Sequence, residues 1–182
     1  MPSDCKQDSF VISTLNSLRK GFWVEYGCQG PIKSSNTHVL ELEYEWKGLS
    51  LDIEPSFLAE WDGVRNTDRL VCADALNIDH EKLYVEHNVP NVVDYLSLDI
   101  EPPDATWECL QKIPFDKYIF KVVTYEHDSY RGYPKEPSRE FFSERGYVRV
   151  PDNIVRGFFG EILNAEDWYI HESCEDLITW TR

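Results

Sequence analysis

The heptapeptide Leu-Ser-Leu-Asp-Ile-Glu-Pro occurs twice, from Leu49 to Pro55 and again from Leu96 to Pro102. Leu-Ser-Leu suits an interior strand, the acidic residues mark where the chain leaves the core, and proline blocks further ladder pairing. The flanks do not match: Tyr44-Glu45-Trp46-Lys47-Gly48 precedes the first copy and Asn91-Val92-Val93-Asp94-Tyr95 the second. A duplicated module would have kept seven residues and lost everything around them. The pair therefore reads as two strands of one sheet that meet the same physical requirement.

The rest of the chain alternates in the same way. A helix is expected from Asp8 to Lys20, where Phe10, Val11, Leu15 and Leu18 recur at helical spacing behind Ser9 as cap, and Gly21 ends it. FWVEY (Phe22 to Tyr26) reads as a buried strand, GCQGPIKSSN as a loop and THVLELEYEW as a helix. GLSLDI, RLVCAD, VVDYLSLDI, YIFKVVTYEH and YVRV are further strands. SFLAEWDG, the stretch from Asp79 to Glu86, DATWECLQKI and PSREFFSERG are further helices. Strands alternating with helices predict an α/β fold, a Rossmann-like sandwich with a mostly parallel sheet covered on both faces. IVRGFF and DWYIH read as antiparallel additions at a sheet edge. With no linker or low-complexity tract, residues 1–182 read as a single domain.

The 33 acidic against 18 basic residues give a net charge near −15. Such a field repels phosphate backbones and anionic lipid, which disfavours nucleic acid and membrane surfaces as partners. Five cysteines without a Cys-x-x-Cys pair support neither a zinc knuckle nor a disulfide framework. The opening MPSDCKQDSF lacks the basic and apolar regions of a signal peptide, so a reducing, cytoplasmic setting is expected.

In an open α/β sheet, ligands sit beyond the carboxyl ends of the strands. Five predicted strand ends carry Glu25; Asp52 with Glu54; Asp74; Asp99 with Glu101; and Glu126 with His127 and Asp128. Carboxylates there suit ribose hydroxyls and ammonium groups, which supply donors to an acceptor-only side chain. The loop GCQGPIK has neither the G-x-G-x-x-G spacing nor a Walker Lys-Ser/Thr. This disfavours pyrophosphate and triphosphate ligands, and with them a nicotinamide oxidoreductase. A phosphate-free, positively charged nucleoside fits the rim better, and S-adenosylmethionine is such a molecule.

Taken in order, GFWVEYGCQGPIKSSNTHVLE, YEWKGLSLDIEP, ADA, DYLSLDIEPP, IPFDKYIFKVVTYEHD, SREFFSERGYVRV and EDWYIHE resemble the FkbM-type branch of S-adenosylmethionine-dependent methyltransferases. The resemblance runs from about Gln7 to His171. It implies the class I methyltransferase fold, a seven-stranded sheet with one antiparallel edge hairpin, and methyl transfer to a hydroxyl of a sugar or other small metabolite. It also implies that Glu25, Gly27, Gly30, Ser35, Asn36, Thr37, Asp74, Ala75 and Asp99 bind the cofactor. The ribose-binding acid is Asp52 when counted from Trp46 and Glu54 when Glu-Pro is matched; Asp99 at the corresponding place in the second copy favours Asp52. Related sequences carry an acid where this chain has Gln29, and a glycine after Asp-x-Glu where it has Pro102 and Pro103. A stiffened loop leaves open a second reading, a non-catalytic interaction module with weakened cofactor binding.

Methyl transfer to an alcohol requires alignment of the oxygen and removal of its proton. An unperturbed imidazole titrates near pH 6.5, which makes His127 the expected base, with Asp99 and Glu126 beside it. A rival arrangement holds Mg2+ between Asp99, Glu126 and His127, an oxygen-rich set that would acidify the acceptor directly. Glu166, Asp167, Trp168 and Tyr169 are a further candidate, as a substrate wall.

Overall fold

The computed structural model describes residues 3–150, 156–158, 161–163 and 165–174. The chain runs α1 (Gln7–Thr14), β1 (Phe22–Tyr26), α2 (His38–Tyr44), β2 (Lys47–Asp52), α3 (Ser56–Trp61) and β3 (Leu70–Cys72). It continues with α4 (His80–Glu86), β4 (Val92–Leu98), α5 (Pro103–Lys112), β5 (Ile119–Glu126), α6 (Glu136–Ser143) and β6 (Tyr147–Arg149). Last come β7 (Arg156–Phe158), β8 (Glu161–Leu163) and β9 (Glu166–His171). The main sheet has the order β3-β2-β1-β4-β5-β9-β6. β3, β2, β1, β4 and β5 pair in parallel, whereas β9 is antiparallel to both β5 and β6.

Both heptapeptides flank β1, in one register. Val24 lies opposite Leu49 and Leu96, Glu25 opposite Ser50 and Ser97, and Tyr26 opposite Leu51 and Leu98. Alternating strand residues point to opposite faces, so the leucines enter one core layer and the serines face the other. The leucine face carries the larger cluster, with Val24, Tyr26, Leu49, Leu51, Leu96, Leu98, Val123 and Tyr125. The opposite face packs Trp23, Tyr95, Val122 and Trp168 against Val11 of α1 and Leu40 of α2.

Three expectations change. The first helix stops at Thr14, because Asn16 and Ser17 take positive φ (50° and 57°) before Gly21 is reached. β9, which contains DWYIH, is inserted between β5 and β6 instead of adding to an edge; its partners on both sides are neighbours in the sheet. Arg156–Phe158 pairs with Glu161–Leu163 in a separate two-stranded hairpin, while Ile154, Val155 and Phe159 lie outside the described residues. Among the described residues no helix is long and apolar enough to cross a membrane.

Candidate functional site

A pocket of about 350 Å3 opens at the carboxyl ends of β1 to β4, within the usual range for small-molecule sites of about 300–1,000 Å3. It lies where the strand order reverses between β1 and β4, the switch point at which open α/β sheets bind ligands. Its polar wall includes Asp52, Asp74 and Asp99, and its apolar wall includes Ile53, Phe57 and Leu76. Flat apolar surface beside several carboxylates suits a nucleoside base with its ribose. Of the residues expected to hold a cofactor, Gly27, Asp52, Asp74, Ala75 and Asp99 line this pocket.

Gly27 has φ +78°, and a Cβ there would lie 1.8 Å from the Asp99 carbonyl oxygen. Its lack of a side chain is therefore required by the approach of β1's end to β4. Gln29 (φ 51°) and Ser34 (φ 61°) are also left-handed in this loop; Gln29 lines the pocket, whereas Gly30 does not line it. The Asp52 carboxylate fixes the loop by accepting from the Gln29 N–H at 2.9 Å and from the Glu54 N–H at 3.0 Å. Each oxygen keeps a further lone pair for a ribose hydroxyl. Glu54 is exposed, and its carboxylate accepts from the Ser56 N–H at the start of α3. It is a turn residue outside the pocket.

Glu25, Ser35, Asn36 and Thr37 are not in the pocket wall either. They form a buried network below it, on the serine face of the sheet. Glu25 accepts from Thr37 at 2.8 Å and from Ser50 at 2.7 Å. The Ser35 hydroxyl accepts from the His38 N–H at 3.1 Å, helping to close the first turn of α2. Asn36 donates to Ser97 Oγ at 3.0 Å, and its Oδ1 is buried without a partner. Burial holds the Glu25 carboxyl above its ordinary pKa, against the opposing pull of Arg65 and the two hydroxyls. Arg65 donates to Ser35, Thr37 and Glu41, and its guanidinium lies 4.0 Å from the centroid of the Trp61 ring. This arginine carries no motif, and only its helical neighbour Trp61 and the acids elsewhere in the chain hint at it. Sequence reasoning missed it.

Asp99 and Glu126, from the ends of β4 and β5, share a carboxyl–carboxyl hydrogen bond. Burial first, then Asp99, Asp128 and Glu166, hold the Glu126 carboxyl far above the ordinary range. His127 does not join them. It follows Glu126 in sequence and faces the other side of the sheet, where its Nε2 lies 3.7 Å from Asp167. Its Nδ1 accepts from the Ser129 N–H at 3.1 Å, which leaves the proton of the neutral ring on Nε2. Desolvation pushes the imidazole down to about 4. A buried ring whose basic nitrogen is already occupied is not poised to take a substrate proton. The same strand alternation defeats the Mg2+ arrangement, and among the described residues no group of three His, Cys, Asp or Glu side chains could hold a metal ion.

Asp167 is likewise committed to the structure. Arg139 donates to both its oxygens, at 2.6 and 2.9 Å, and Arg149 lies 3.3 Å away. Trp168 stacks on Phe10 with centroids 4.2 Å apart, and Tyr169 on Phe142 at 4.1 Å. These aromatic residues are core, not a substrate wall.

The strand order, with its single reversed strand beside the last parallel one, has clear counterparts among solved structures. A putative rRNA methylase from Clostridium thermocellum matches with TM-score 0.54 over 93% of this chain and 96% of its own, at 14% identity. The fold is that of the class I methyltransferases. A TehB-like SAM-dependent methyltransferase from Corynebacterium glutamicum matches with TM-score 0.53 over 91% of this chain and 87% of its own, at 12% identity. TrmK from M. capricolum, in complex with S-adenosylhomocysteine, gives 0.51 over 88% and 66%, at 12% identity. No protein-family profile matches the chain, and no curated protein matches it in sequence.

Proposed function

We propose that this protein is an S-adenosylmethionine-dependent O-methyltransferase acting on a hydroxyl of a sugar or other small molecule. The observation that carries the proposal is the pocket at the β1/β4 switch point, with Asp52, Asp74 and Asp99 on its wall, in a chain with the class I methyltransferase strand order. The FkbM-type resemblance, carried by Ser35-Asn36-Thr37, Trp46-Lys47-Gly48 and the second Ser-Leu-Asp-x-Glu, supports the hydroxyl acceptor. The net charge of −15 supports a small acceptor over a nucleic acid.

S-adenosylmethionine supplies a sulfonium-activated methyl carbon. Asp52 would hold the ribose and Ala75 would lie against the base. Asp99 lines the pocket and is hydrogen-bonded to Glu126, whose carboxyl is held far above its ordinary range. It is therefore the carboxylate placed to accept the proton that the hydroxyl oxygen gives up as its new bond to carbon forms. Asp99 replaces His127 in that role.

Calorimetric titration with S-adenosylhomocysteine tests the proposal first, with saturable binding expected at micromolar to millimolar ligand. No heat and no thermal shift at millimolar concentration would sink it and favour the non-catalytic interaction module. That second reading draws on the occupation of both Asp52 oxygens by loop N–H groups.

A further inference from the structure

Three carboxyls lie in one row across the serine face: Asp99 just past β4, Glu126 at the end of β5 and Glu166 at the start of β9. Glu126 and Glu166 are direct cross-strand partners. Two like charges placed opposite each other in a buried sheet are unfavourable, so one of the pair must keep a proton.

Glu166 is the member of the pair whose two oxygens both accept N–H donors. Its Oε1 accepts from the side-chain amide of Gln7, and its Oε2 from the Trp168 indole at 2.8 Å. An indole N–H can only donate. The amide of Gln7 is oriented by its own oxygen, which accepts from the Cys5 N–H at 3.0 Å. Trp168 is fixed by its stack on Phe10. A carboxylate that accepts N–H donors on both oxygens is stabilised in its charged form. Glu166 is also only 3% exposed, so its field on Glu126 is weakly screened.

The other charged groups at this end are Asp128, Glu25 and Asp8; one oxygen each of Asp128 and Asp8 is buried without a partner, and Asp128 acts on Glu126 alongside Glu166. Asp128 accepts from Arg131 at 2.9 Å, Glu25 faces Thr37 and Ser50 with Arg65 behind them, and Asp8 accepts from Ser3. Above the row hangs Asn36, tied to Ser97, which precedes Asp99 by two residues and shares its face. Asn36 is 5% exposed and its Oδ1 has no partner.

We propose that Glu166, clamped by Gln7 of the N-terminal helix and by Trp168, is the positioning residue that fixes the shared proton of the Asp99–Glu126 pair on Glu126. Asp99 is left as the ionised member, facing the pocket. The catalytic consequence rests on the methyltransferase reading, whereas the location of the proton does not.

Infrared difference spectroscopy of the full chain, titrated from pH 5 to 12, measures the proton directly. The wild type should show a protonated-carboxyl band near neutral pH that Glu126→Gln abolishes. Glu166→Gln should move the midpoint of that band down by about one unit, a tenfold fall in proton affinity. Should Glu166→Gln fail to fold, Gln7→Leu removes one clamp and should move the midpoint in the same direction by less. A band insensitive to Glu126→Gln, or a midpoint that either folded variant leaves in place, would overturn the proposal. The pH profile of methyl transfer gives a separate readout: its alkaline limb should move down with the band in Glu166→Gln. A shifted band without any methyl transfer in the wild type would count against the enzymatic reading alone and support the role of Glu166.

Discussion

The two Leu-Ser-Leu-Asp-Ile-Glu-Pro segments sit on either side of β1 in the same register, yet each of their polar residues has a different partner. Ser50 donates to Glu25 and accepts from the Trp23 indole at 3.0 Å, while Ser97 accepts from Asn36. Asp52 holds two loop N–H groups, while Asp99 shares a hydrogen bond with Glu126. Glu54 accepts from the Ser56 N–H, while Glu101 reaches Arg131 at 3.1 Å. Only the leucines do the same work in both, packing one core layer. The first copy borders β3 and the second borders β5, and those neighbours decide what identical acids do. Under the proposed function, Asp52 would hold the cofactor and Asp99 would take the proton.

Asp99→Asn is the sharpest way to separate the copies. It should lower kcat by about 10^2–10^4-fold, the usual contribution of a general base, and leave S-adenosylhomocysteine affinity within about threefold by calorimetry. Asp52→Ala should do the reverse, weakening that affinity about 10–100-fold, as expected for a lost hydrogen bond to a charged group. Equal loss of binding in both variants would break the division of roles.

A pH series tests whether His127 is structural. Its folded pKa of about 4 lies below the ordinary 6.5, so between these values the unfolded chain binds the extra proton. Stability should therefore be fully present above pH 6.5 and fall as pH drops to 4, by up to about 3 kcal/mol. Urea unfolding of His127→Asn should show a flatter slope across that window, with methyl transfer retained. Loss of all turnover in a folded His127→Asn protein would restore the histidine as base.

The serines should differ less. Ser50→Ala strands an indole donor and removes one of the two hydroxyls donated to buried Glu25, for about 2–3 kcal/mol, whereas Ser97→Ala strands one amide donor, for about 1 kcal/mol. Denaturant midpoints would rank them. Glu54→Ala should be the mildest change, leaving S-adenosylhomocysteine affinity where it was.

Most of the fold was legible because strand and helix periodicities are local. FWVEY, GLSLDI and VVDYLSLDI became β1, β2 and β4, within a residue or two at their ends. The rim acids were legible for the same reason, since a strand's end is where its apolar run stops. The division of labour among them was not. Ser35-Asn36-Thr37 looked like a ligand-binding motif, but it joins α2 to Glu25 and Ser97. Glu126-His127-Asp128 looked like one site, but successive residues at a strand end point to opposite faces. Arg65 carried no signal, because its partners are Ser35, Thr37 and Glu41 from a different stretch of chain.

The sequence alone determined an α/β alternation, an acidic rim at the strand ends and the unsuitability of the glycine loop for phosphates, because each follows from local pattern and side-chain chemistry. Tertiary structure alone decided that the two heptapeptides flank one strand, that β9 is inserted against β5, and that Glu166 stands opposite Glu126. Those facts depend on strand order and register, which are set by packing between segments far apart in the chain. The proposed proton on Glu126 rests on them, because a carboxyl's charge state depends on which groups share its buried surroundings.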